Sequence, residues 1–137
     1  MALFSKGEQD DPGQTVGRTL WVFAAGFSPS QSTGTEPEFT SRNTLCLLNI
    51  GDQQACVQLM VYYDDADPVG PFEVLLEARR VKHQRVNDLI DPAAVYLDKP
   101  YGLVVTADLP VIAQLFYLDS RQGQLTISHL NPAPLGP

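Results

Sequence analysis

The chain has 137 residues, 44% of them hydrophobic, which suits one globular core burying roughly two thirds of the unfolded surface. Nine Lys and Arg against sixteen Asp and Glu leave a net charge of −7, which opposes non-specific attraction to phosphate backbones or anionic lipid. Its apolar runs are short, and residues 1–5 (MALFS) have neither the length nor the cleavage pattern of a secretory signal, so the chain reads as soluble and cytoplasmic, with no membrane insertion.

Residues 1–16 mix Gly, Pro, Gln and Asp without periodicity and read as a loose N-terminal tail. Residues 18–24 (RTLWVFA) alternate well enough for a first strand. A long Ser, Thr, Gly and Pro-rich connection over residues 26–42 follows, a candidate lid or rim. Residues 43–49 (NTLCLLN) and 55–63 (ACVQLMVYY), split by Gly51-Asp52, predict a hairpin. Cys46 and Cys56 would lie on its two arms as free buried thiols. Residues 64–71 (DDADPVGP) predict a second turn. Asp64, Asp65 and Asp67 lack the ligand register of a calcium loop there, and no zinc-ligand spacing occurs anywhere.

Phe72, Val74 and Leu76 alternate with Glu73, Leu75 and Glu77, the period of a strand with one buried face. Arg79, Arg80, Lys82, His83 and Arg85 come next. Extended, they place cations on both faces, so this strand must be an edge, a pocket wall or a subunit contact. Residues 89–100 hold Asp91-Pro92 and Lys99-Pro100, which leave room only for a brief helix. Residues 101–107 and 111–118 predict another hairpin across Asp108 to Pro110, and residues 119–123 turn into a last strand over 124–130. Residues 131–137 (NPAPLGP) carry too much Pro for a sheet and form a C-terminal tail. The result is an all-β domain over residues 17–130, an antiparallel β-sandwich of about eight short strands.

No nucleophile elbow, reactive-Cys signature or phosphate-binding glycine loop occurs, so the chain is not read as an enzyme and no cofactor is implied. A hydrolase using Ser120 with His83 and Asp88 would rest on residue types alone. Recognition fits better. Arg79, Arg80, Lys82, His83 and Arg85 can donate to carboxylates, phosphates or sugar hydroxyls, while Asn87, Asp88 and Asp119 can accept from hydroxyls or hold the arginines. Trp21, Phe27, Tyr62 and Tyr63 offer flat apolar faces. The expected polar site is therefore Trp21, Arg79, Arg80, Lys82, His83, Arg85, Asn87, Asp88, Asp119 and Arg121. A structural alternative stands beside it: Arg121 with Asp119, and Arg79 or Arg80 with Asp88 or Glu77, as ion pairs, with Trp21 as core. A third makes the cationic strand a subunit seam.

Several uncommon strings occur in order: GRTLW at 17–21, EPEF at 36–39, LN-x-GD at 48–52, YY-x-D at 62–65, PVGPF at 68–72, ARRVKHQRVNDLIDP at 78–92 and LDSRQ at 118–122. Together they closely resemble the soluble sensory rhodopsin transducer family, over roughly residues 17–128. The resemblance implies a compact β-sandwich subunit, a homotetramer, and a domain that binds small molecules, with sugars or sugar-like metabolites as ligands. It also implies an alternative role as the cytoplasmic partner of a microbial sensory rhodopsin, with a link to DNA that the charge makes a poor fit. This chain departs from the transducer pattern at Ala25, where Glu is expected, and at Leu115 and Tyr117, where His and Arg are expected.

Overall fold

The computed structural model describes residues 16–30, 42–119 and 126–130, with Asp119 and the last five by backbone only. Among them run seven strands: β1 (Arg18–Phe27), β2 (Arg42–Asn49), β3 (Ala55–Tyr63), β4 (Val69–Leu76), β5 (Arg80–Arg85), β6 (Pro100–Asp119) and β7 (Thr126–Leu130). A single 3-10 turn, Val86–Asp88, follows β5. The protein is all-β and every pairing is antiparallel.

One strand organises the rest. β6 is 20 residues long. Its first half pairs with β1 on one edge and β3 on the other, and its second half pairs with β2 and β7. β4 extends the first half beside β3, and β5 extends the second beside β2. Side chains alternate across a strand, and the inward phase survives the bend: Tyr101, Leu103 and Val105, then Val111, Ala113 and Leu115, are all buried. The two halves curl over a shared core that includes Phe23, Leu45, Leu47, Val57, Leu59, Phe72 and Leu76. Each such side chain contributes about 1.5–3 kcal/mol by leaving water.

Two predicted hairpins are not formed. Residues 101–107 and 111–118 are one strand, because the partners change at the bend: β3 pairs up to Ala107 and β2 begins at Ile112. Pro110 falls in the gap between those two ladders, where no ladder donor is required. This merger turns the eight expected strands into seven. Nor do β2 and β3 pair with each other, since β6 lies between them. The 50–54 connection crosses from one half to the other around buried Asn49, whose Nδ2 donates to Gln53 O at 2.8 Å and Leu76 O at 3.2 Å. Its Oδ1 accepts from the Gly51 N–H at 2.9 Å. Cys46 and Cys56 are free and half-buried, one on each half.

β4 starts inside the predicted 64–71 turn and carries Pro71. The expected 26–42 connection is shorter than predicted, since β1 runs to Phe27 and β2 starts at Arg42. Its residues 31–41, the tails (Val16 apart) and residues 120–125 lie outside the described residues. No helix among the described residues is long and apolar enough to cross a membrane.

Candidate functional site

Apart from Asn49 at the far end of β2, the buried polar side chains among the described residues gather at one end, where β1 finishes, β2 and β6 begin, and the 86–88 turn leaves β5. Ser28 and Asn43 are fully buried there and Tyr101 is 3% exposed. Tyr101 pairs across the ladder with Gly26, and the absent side chain at Gly26 gives the phenol ring its room. Asn87 Oδ1 accepts from Ser28 Oγ at 3.3 Å and from the Asn43 N–H at 3.4 Å. Asn43 Nδ2 donates to the Tyr101 hydroxyl. Burial pushes the Tyr101 hydroxyl up to about 12, although hydrogen bonds from Asn43 and Ser28 oppose the shift. Asn43 Oδ1 has no hydrogen-bond partner among the described residues. An orphaned buried acceptor costs about 1–3 kcal/mol, so its persistence calls for an explanation.

Residues 89–99 strap this end. Leu89 and Val95 sink into the core. The Asp98 N–H donates to Ser28 O at 2.8 Å, and Asp98 Oδ1 accepts from the Ser30 N–H at 2.9 Å. The Tyr96 N–H donates to the Tyr63 hydroxyl at 3.1 Å, and the two rings pack with centroids 4.9 Å apart. Lys99 Nζ lies over both rings and pairs with Asp65. That bond holds the Asp65 carboxyl below its usual range and raises the Lys99 ammonium.

The residues expected to form one site divide between the ends of β5, a span of about 17 Å at the usual strand rise. Arg79 and Arg80 sit at the far end, beside the 50–54 connection, where the Arg79 N–H donates to Gly51 O at 3.2 Å. Lys82 and His83 are exposed mid-strand, with Lys82 Nζ donating to Leu75 O at 3.4 Å. Arg85, Asn87 and Asp88 reach the polar end. Arg85 is in register with Thr44, beside Asn43. Its Nε is buried with no hydrogen bond among the described residues and lies 3.9 Å from Asp88 Oδ2. Trp21 packs against the core, and its Nε1 donates to Val111 O at 2.9 Å and Arg18 O at 3.2 Å. Asp119 pairs with Thr126 through the ladder, its side chain outside the described set, as is Arg121.

Ser28, Asn43 and Tyr101 were not singled out from the sequence. One signal was available: Asn43 occupies the inward phase of β2 ahead of Leu45 and Leu47, a polar residue where the pattern calls for an apolar one. Such positions are held for hydrogen bonding.

The family model of the Anabaena sensory rhodopsin transducer matches residues 16–130. Among solved structures, the Anabaena sensory rhodopsin transducer is 42% identical with a TM-score of 0.68, over 74% of this chain and 98% of that one. Thermotoga maritima 1070 is 27% identical with a TM-score of 0.73, over 85% of this chain and 94% of that one. No curated protein matches the chain significantly.

Proposed function

Because the chain belongs to the Anabaena sensory rhodopsin transducer family, we propose that it is a non-enzymatic sensing domain that takes up a small polar metabolite, sugar-like or anionic, at the Ser28, Asn43, Asn87 and Tyr101 corner. The observation that carries the reading is Asn43 Oδ1, buried and unpartnered among the described residues. It calls for a donor such as a hydroxyl; Arg85 Nε, buried and 3.9 Å from Asp88 Oδ2, has no acceptor at hydrogen-bond distance among the described residues, which a carboxylate would supply. The corner ties β1, β2, β6 and the 89–99 strap together, so a ligand that enters it favours one arrangement of those ends over another. That differential affinity is what a signal requires.

The reading is tested by thermal melting of the full chain against millimolar sugars, sugar acids and simple carboxylates. A ligand at ten times its Kd contributes about 1.4 kcal/mol, enough to raise the melting temperature by several degrees. The rise should vanish in Asn43→Leu. A wild-type melting temperature that no compound moves removes the reading.

Assembly as a homotetramer belongs to the same proposal. It is supported by an outward apolar row, Val22, Val104 and Met60 in mutual register, flanked by exposed Leu20 and Tyr62. Light scattering on the purified chain measures its mass.

A second reading, a cytoplasmic partner of a membrane sensory rhodopsin, draws on the family match and the 42% identity. Leu115, where the resemblance implies His, is fully buried in the core, so that departure does not alter a partner surface. Co-purification with a retinal-loaded rhodopsin encoded beside this chain tests it. DNA binding is disfavoured by the net charge of −7.

A further inference from the structure

β5 is the outermost strand of its half of the sheet and, among the described residues, pairs on one side only, with β2. Its other edge offers backbone donors and acceptors that a further strand could use. Arg79, Arg80, Lys82 and His83 are exposed along it, and none pairs with a carboxylate among the described residues. Arg80 Nη1 and Lys82 Nζ turn instead to the backbone carbonyls of Arg79 and Leu75, at 3.1 and 3.4 Å. Carboxylates are not scarce in this chain: there are sixteen, and they reach Arg85 and Lys99. The cations of β5 are therefore left open locally, inside an acidic protein.

The register arranges them. Arg80 and Lys82, opposite Asn49 and Leu47, lie on one face, while Val81 and His83, opposite Leu48 and Cys46, lie on the other. Val81 is 59% exposed and continues an apolar row through Leu48 and Ile112. We propose that β5 is the docking edge for an extended acidic segment of a partner protein, added as a strand with Asp or Glu at alternate positions beside Arg80 and Lys82 and apolar residues between them beside Val81. Strand addition gives affinity through the backbone and specificity through alternate side chains, which a strand of period two supplies and a helix does not. Like charges across the seam repel a second copy of β5 and select for acidic residues. Nucleic acid fits less well, because it offers neither strand donors nor an apolar group for Val81, and the chain's overall charge opposes it.

The test uses the full chain and three fluorescein-labelled octapeptides: alternating Glu and Val, the same residues in two blocks, and alternating Lys and Val. Anisotropy should show binding of the alternating Glu peptide, weakening with salt, with much less for the block peptide and none for the Lys peptide. R80E/K82E should weaken it at least about tenfold, by turning two attractive cross-strand pairs repulsive. R80Q/K82Q, checked for folding by circular dichroism, should give a smaller loss in the same direction. Amide exchange over Arg80–Arg85 should slow in the complex. The proposal is overturned if no peptide binds, if alternating and block peptides bind equally, if neither double variant changes affinity, if exchange over the strand is unaltered, or if duplex DNA binds more tightly through the same residues.

Discussion

Tyr101→Phe removes one oxygen from the polar end and nothing from its packing. Asn43 Nδ2 then loses its acceptor while Asn43 Oδ1 already lacks a partner, in a residue with no solvent exposure. Stranding that donor should cost about 1–3 kcal/mol at neutral pH. The cost carries a pH signature. In the unfolded chain the hydroxyl ionises near 10, and burial raises it to about 12 in the folded protein. Above pH 10 proton release therefore favours the unfolded chain, and the stability tied to the neutral hydroxyl, complete below pH 10, drains away by pH 12. Integrated over that window, the loss is about 2 kcal/mol. Urea denaturation of wild type and Tyr101→Phe at steps from pH 7 to 12, followed by circular dichroism, isolates the term, because every other titration is common to both proteins. The wild-type advantage should hold from pH 7 to 9 and shrink by about 2 kcal/mol by pH 12. An advantage independent of pH across that range would refute the reasoning and place the hydroxyl in contact with water.

Gly26→Ala puts a methyl group into the Tyr101 ring and should destabilise by about 1–3 kcal/mol in the same urea assay, with strong non-additivity when combined with Tyr101→Phe. Trp21→Phe keeps the ring packing but releases Val111 O and Arg18 O, so a loss of about 1 kcal/mol with faster amide exchange at the start of β1 is expected. Arg79 holds a φ of 57°, a backbone region that favours glycine, so Arg79→Gly should fold with equal stability or gain up to about 1 kcal/mol in urea melts.

The all-β class was readable because no stretch sustains a helical period, and the edge position of β5 was readable because cations on both faces admit few other placements. What failed was pairing. Gly51-Asp52 makes a real turn, yet β2 and β3 separate because β6 enters between them from some fifty residues downstream, and local turn chemistry carries no record of that. Asp108 to Pro110 has hairpin composition, but Asp108 Oδ1 receives the Cys56 N–H at 2.8 Å and the strand continues into the other half. The polar end was half legible. Arg85, Asn87 and Asp88 drew attention as part of a dense polar run, whereas Ser28, Asn43 and Tyr101 are single residues on separate segments whose meeting is set by tertiary pairing alone. The same clustering misled in the other direction: Arg79 and Asn87 are close in sequence but lie at opposite ends of a strand, and Trp21 serves the bend of β6.

The central claim concerns two buried atoms, and their own nuclear magnetic resonance signals report on them. Titrating a sugar acid that stabilises the melt into isotope-labelled protein should shift the side-chain amide of Asn43 and the Nε–H of Arg85 first and most, in a saturable way. Shifts confined to Arg79 through His83, or side-chain signals of Asn43 and Arg85 that stay still while the ligand binds, would contradict the account.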